Sequence, residues 1–297
     1  MVNWTNPYAG RDGIWLKGNL HTHTSPASAC GRVAIDKTLS LYEDAGYGFL
    51  SISDHMTLSQ PKSERLVLIP GIEWNRPDGG GHIGLYSCRP NSIVPAITMK
   101  DQEELLATLS SRDSLLILNH PNWQLRPHYR REELLALPGY DGIEIFNGVI
   151  KRLEGYEIST DKWDYLLSNG RRILGFASDD FHLESDLSAG WNVVRAESAS
   201  PEAVFAALKC GNFYTSSGVD LTDIYREKNY ITVESANGEE IQAIGSGGRL
   251  LETVKDCRIT VDISKWDTGY IRFAIYGTGS SMAWTQPFFS QPAQGCR

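Results

Sequence analysis

Cysteine is scarce in this chain and never closely paired. Five occur among 297 residues, at Cys30, Cys88, Cys210, Cys257 and Cys296, and no two form a CxxC. Reduced thiols in a cytoplasmic setting are therefore the expectation. The opening residues, MVNWTNPYAG, hold neither a basic n-region nor an apolar h-region, so a secretory signal is not expected. No apolar run approaches the length of a membrane span. An excess of positive charge is also missing: 28 Lys and Arg face 36 Asp and Glu, a formal net charge of −8. That balance argues against broad binding to a nucleic-acid polymer or an anionic membrane. A small anionic substrate held locally by metal ions stays open, beside the plainer reading that the charge only keeps the chain soluble. Internal repeats and low-complexity tracts are absent.

What the chain does have is histidine in short motifs. Six of its seven histidines lie in NLHTHT (His21, His23), ISDH (His55), GGGHIGLYS (His82), LILNHP (His120) and ASDDFH (His182). Carboxylates accompany them at Glu73 in PGIEW and at Asp180. Neutral imidazole is the commonest metal ligand, and imidazole clustered with carboxylate suits Zn, Mn or Fe.

Residues 13 to 218 alternate short apolar runs with amphipathic segments. Strands are predicted over 14–21, 48–53, 66–72, 82–87, 114–118, 142–146, 172–177 and 191–194. Helix signals lie between many of them. Asp101 with Glu104 resembles a capping box. Ser200, Pro201 and Gly211 bracket PEAVFAALKC. Residues 36–45 and 161–169 run to Gly46 and Gly170. Such alternation predicts an α/β fold with a parallel sheet and crossover helices. The motif residues fall at strand ends, the C-terminal rim of a β/α barrel. From residue 219 the texture changes to apolar/polar alternation with Asn-Gly and Gly-Gly turns. That pattern predicts antiparallel strands in a small β-sandwich. The expected domains are 1–218 and 219–297.

In a strand, residues i and i+2 point to one side, so His21 and His23 can face one ion. Asp180 and His182 repeat that relation, which leaves Asp179 as a hydrogen-bonding supporter or a surface group. Glu73 follows an apolar run, where a carboxylate is costly unless paired, by a metal or by a structural salt bridge. Taken singly, His82 and His120 read as core histidines; with the other motifs they read as ligands. Asp54 would orient His55 or itself bind metal. His128, in RPHYRR, reads as a loop or surface residue.

As an ordered series, these motifs resemble the polymerase-and-histidinol-phosphatase (PHP) family of metal-dependent hydrolases, over residues 13 to 218. The resemblance implies a distorted (β/α)7 TIM-like barrel and two or three divalent metal ions (Zn, Mn or Fe). His21, His23, Glu73 and Asp180 would hold the first ion. Glu73 would bridge to a second, completed by His82 and His120, while His55 and His182 would serve a third. Family members usually carry an Asp or His shortly after HxH as another third-site ligand; here the segment is SPASACGR. Cys30 is then a thiolate ligand, or the site holds two metals with an anion or water. The segments GNFYTSSG and AWTQPFF resemble a branch that includes carbaryl-hydrolase-like metallohydrolases, in which a β-sandwich follows the barrel.

The expected function is a phosphoesterase cleaving a small phosphomonoester or nucleotide by metal-activated water. Beyond that water no catalytic side chain is required. Arg126, Asn147, Lys151 and Arg152 are candidate substrate contacts, and Arg32 is a loop arginine near the first motif. One alternative is an ester, carbamate or amide hydrolase with the same metal centre. Another is a non-enzymatic, metal-stabilised binding protein using Trp284, Phe288 and Phe289 as an aromatic platform, although such residues more often serve core or interdomain packing. A nuclease role within a polymerase complex is not expected, since no polymerase segment is present.

Overall fold

The structure, a computed structural model, describes residues 4–9, 12–124 and 128–290. The first strands are β1 (Ile14–Asn19), β2 (Phe49–Leu50), β3 (Val67–Leu68), β4 (Gly71–Asn75), β5 (His82–Tyr86), β6 (Leu115–Leu118), β7 (Gly142–Asn147), β8 (Leu174–Ser178), β9 (Trp191–Ala196) and β10 (Phe213–Ser216). Between them lie helices α1 (Ile35–Asp44), α2 (Gln102–Leu109), α3 (Arg131–Ala136), α4 (Thr160–Ser168) and α5 (Pro201–Cys210). Then follow β11 (Leu221–Glu227), β12 (Tyr230–Ser235), β13 (Gly238–Gly245), β14 (Arg249–Val254), β15 (Arg258–Asp262), β16 (Tyr270–Gly277), β17 (Met282–Thr285) and β18 (Phe288–Phe289).

The helix ends follow local chemistry. Asp101 accepts the Glu104 N–H at 2.8 Å and starts α2. Ser200 accepts from Ala203, Pro201 opens α5, and Gly211 at φ 77° ends it in the left-handed region.

One sheet runs β4-β5-β6-β7-β8. Its β6-β7-β8 part is parallel, but β5 is antiparallel to both neighbours. This departs from the parallel expectation, because residues 76–81 between β4 and β5 are too few for a crossover helix. The larger sheet runs β14-β13-β16-β17-β10-β9-β1-β2-β3. Pro70 divides the strand predicted over 66–72, sending β3 to the large sheet and β4 to the other.

The expected closed barrel is not formed by continuous ladders among the described residues. Single bridges, His55↔Glu73 and Thr22↔Phe181, are what join the two sheets beyond β2 and β8. Beside them Met56 and Asp180 take φ of 51° and 52°, so neither strand runs on.

The expected boundary at residue 218 falls between β10 and β11. Strands from both sides of it share the large sheet, with β10 paired to β17. A third sheet, β11-β12-β15, shares a hydrophobic cluster with the large one through Ile224, Val233, Val261, Phe273 and Ile275. Trp284 and Phe288 are buried, and the Trp284 ring lies 5.9 Å from that of Phe146. This packing is the core role weighed against an aromatic platform. No helix among the described residues is long and apolar enough to cross a membrane.

Candidate metal centre

The strand ends bring the motif residues to one place. His21 and His23 lie beyond β1, His55 beyond β2, His120 beyond β6, and Asp180 and His182 beyond β8; Glu73 is within β4 and His82 opens β5. His120 and Asp180 hold φ of 32° and 52°, a costly backbone for residues other than glycine.

The tightest group is His21, His23, Glu73 and Asp180. His21 Nε2 lies 3.1 Å from His23 Nε2, from Glu73 Oε1 and from Asp180 Oδ1. His23 Nε2 lies 3.3 Å from Glu73 Oε2 and from Asp180 Oδ1. Tetrahedral bonds of about 2.0–2.1 Å would separate neighbouring ligand atoms by about 3.3 Å. Glu73 Oε2 and Asp180 Oδ1 are buried and make no aligned hydrogen bond among the described residues, although imidazole nitrogens stand 2.9 to 3.3 Å from them. Buried carboxylate oxygens left in this way are the sign of a cation site, and these donors fit a divalent ion.

Around Glu73 the cluster extends both ways. His82 Nδ1 is 3.2 Å and His120 Nε2 3.3 Å from Glu73 Oε1, while His55 Nδ1 is 2.9 Å from Glu73 Oε2. His23, Cys30 and His55 form another group with ligand spacing, as do His23, Asp180 and His182.

The rings are held from outside. His21 Nδ1 donates to Glu144 Oε1 at 2.9 Å, and His182 Nδ1 donates to the Asp180 carbonyl at 2.7 Å. His23 Nδ1 meets Ser28 Oγ at 3.2 Å, and that hydroxyl donates to Asp54 Oδ1 at 2.7 Å. His55 Nδ1 lies 2.8 Å from Asn75 Oδ1. The expected pairing of Asp54 with His55 is thus replaced. The Asp54 side chain accepts from Thr24, Ser28 and Ser59, and it reaches His23 through Ser28. Asp179 braces a loop, accepting from Tyr42 Oη and from the N–H groups of Ser188, Ala189 and Gly190.

Two residues escaped the sequence reading. Glu144, in β7, accepts from His21, Ser178, Asn147 and the His120 N–H, and so links two of the motifs. A carboxylate inside the apolar run GIEIFN was the available signal. His128, expected at the surface, is 2% exposed. Its ring is 4.7 Å from that of His120 and 4.9 Å from that of His82. Its flanking arginines disguised it; it packs against His82 of β5 and against His120 and Trp123 in its own connection.

The substrate candidates separate. Asn147 Nδ2 donates to Glu144 at 2.8 Å and to Asp180 Oδ2 at 3.2 Å, and its Oδ1 has no partner among the described residues. Arg152 forks onto Asp186 with two bonds of 3.0 Å. Lys151 Nζ sits 5.1 Å from the centre of the Phe146 ring, and Arg32 is exposed. Arg126 lies outside the described residues. A cavity of about 140 Å³ opens over the cluster, walled by Trp123, Val149, Ile150 and Leu153. No lysine or arginine is among the described residues that line it.

Burial by itself would push the Glu73 carboxyl up, but His21, His82 and His55 outweigh it and hold the group well below the usual range. Burial likewise lowers His21, and Asp180, Glu73 and Glu144 more than reverse it. Burial raises the Cys30 thiol, yet hydrogen bonds with His182 and His55 bring it down to about 6. Without a cation, protons on imidazole offset the buried carboxylates.

No family model and no curated protein matches the chain. Solved structures do. A two-domain protein from Bacteroides vulgatus, described as containing a predicted PHP-like metal-dependent phosphoesterase, aligns over 97% of this chain and 91% of its own, with 15% identity and a TM-score of 0.51. The lesion-specific endonuclease PfuEndoQ from Pyrococcus furiosus aligns over 73% of this chain and 64% of its own, with 11% identity and a TM-score of 0.53. The class defined by these likenesses is one of fold. This chain has a PHP-like fold, as the motif series anticipated.

Proposed function

We propose that the chain is a metal-dependent hydrolase whose ions are held by the clustered histidines and carboxylates, and that its substrate is a small phosphoester. The buried oxygens of Glu73 and Asp180 among imidazole nitrogens at ligand spacing carry this reading. The description of the Bacteroides vulgatus protein supports it. In this reading His21, His23, Glu73 and Asp180 hold one ion. Glu73, His82 and His120 hold a second, and His55, His182 and Cys30 a third. Bound divalent ions supply Lewis acidity and lower the pKa of water.

The chain's own part is to orient and enclose. Glu144, Ser28 and the Asp180 carbonyl turn the Nε2 atoms of His21, His23 and His182 inward. Asn147 steadies Asp180 through its amide N–H. Trp123, Val149, Ile150 and Leu153 exclude water from the mouth. The cavity is well below the roughly 300–1,000 Å³ of drug-sized pockets, so it suits a small reacting group. Residues 1–218 would carry the site and 219–297 would brace it.

The apolar wall, with no basic residue among its described lining, favours a second reading: hydrolysis of a neutral ester or carbamate. Nitrophenyl phosphate, a phosphodiester and an acyl ester, each assayed with Mn or Zn, separate the two. Release of phosphate with competitive inhibition by inorganic phosphate is expected. Turnover of the ester alone would reject the phosphoester reading.

A further inference from the structure

One imidazole at the cluster has no role in the assignment above. His128, between β6 and α3, is 2% exposed, and neither ring nitrogen has a hydrogen-bond partner among the described residues. A packing histidine ordinarily satisfies at least one nitrogen, because an unpaired buried polar atom is costly. Nearby groups do not help it. The adjacent Tyr129 hydroxyl donates to the His82 carbonyl at 2.8 Å, and the Trp123 ring packs 4.8 Å away. What His128 faces is two other imidazoles. One nitrogen from each of His82, His120 and His128 can be chosen so that all three lie within 4.8 Å of one another. Glu73 Oε1 stands 3.2 Å from His82 Nδ1 and 3.3 Å from His120 Nε2.

We infer that His128 is a third imidazole ligand for the cation shared by His82, His120 and Glu73. The inference rests on the metal-centre reading above. Three neutral nitrogens and one carboxylate oxygen make a borderline set that suits Zn or Fe and discriminates against Mg and Ca, which prefer oxygen. This ion would therefore differ in selectivity from one held mainly by carboxylates, and the connection between β6 and α3 would supply one of its ligands.

The test uses the full chain and the variants His128→Gln and His128→Leu, titrated with Zn(II) and Co(II) against a competing chelator. The unmutated protein should bind at least two ions. Both variants should lose one ion or bind it at least tenfold more weakly, with changed cobalt d–d absorption. Metal-free His128→Leu should melt no lower than the unmutated protein, since no made hydrogen bond is removed, yet gain less in Tm on metal addition. Unchanged stoichiometry, affinity and cobalt spectrum would overturn the inference alone. So would a lower metal-free Tm with an undiminished metal-induced rise, the mark of a packing residue. An unmutated protein that binds no metal would overturn the metal-centre reading itself.

Discussion

Glu144 Oε1 lies 2.9 Å from His21 Nδ1, on the opposite side of the ring from the nitrogen that faces Glu73 and Asp180. The same carboxylate accepts the His120 N–H at 2.7 Å, so one side chain sets both an imidazole and a backbone turn. All four of its bonds come from donors. Glu144→Gln would set an amide group against two of them, whichever way it turned. Metal affinity or activity should fall about 10–100-fold, as for other groups that orient ligating histidines. Metal-binding isotherms with circular dichroism check this, and an unchanged isotherm would remove Glu144 from the machinery.

Cys30 offers a spectroscopic handle. If it ligates an ion beside His55 and His182, the cobalt-loaded protein should show a thiolate-to-cobalt charge-transfer band in the near ultraviolet. Cys30→Ser should lack that band and keep the visible d–d bands of the other sites. A protein fully loaded with cobalt but without the band would leave the thiol outside the coordination sphere.

Metal uptake should release protons. In the metal-free protein burial lowers His55 and His182, but Glu73 and Cys30 pull the first up to about 11, and Cys30 and Asp180 pull the second up to about 9. Both therefore carry a proton at pH 7–8. Ligands bind metal deprotonated, so affinity should rise with pH, about tenfold per unit for each proton displaced. Below the Cys30 value of about 6 a further proton competes. Calorimetric titrations in buffers of different protonation enthalpy would count the protons. Identical heats in every buffer would contradict the prediction.

Asp164 in α4 and Arg272 in β16 form a buried ion pair across the expected domain boundary. Arg272 Nε donates to Asp164 at 2.7 Å and Nη2 at 2.5 Å, and Tyr270 Oη adds a bond of 2.8 Å. Removing the cation alone strands a buried carboxylate, so Arg272→Met should cost about 3–5 kcal/mol in urea unfolding. The double change Asp164→Leu with Arg272→Met should recover much of that. A single change costing under about 1 kcal/mol would mean that the pair stays solvated.

How much was legible depended on distance along the chain. His21 and His23 could be read because a strand's period of two is local, and the caps at Asp101 and Ser200 act within three residues. Glu144 was readable in principle, as a charge within an apolar strand. His128 was not: RPHYRR looks solvated, and its ring packs against His82 of β5 as well as against His120 and Trp123 earlier in its own connection. The reversal of β5 was signalled only by the shortness of residues 76–81.

By itself, the order of residues decided which donors stand at which strand ends, because periodicity, turns and caps are short-range forces. Tertiary structure decided which donors meet. The contact between His21 and Asp180 spans most of the residues that resemble the PHP series, and it exists through non-local strand pairing that brings β1 and β8 together at the Thr22↔Phe181 bridge. It also turned Asp54 toward Ser28 and His23, since a carboxylate buried among three hydroxyl groups is satisfied there and has no lone pair to spare for His55.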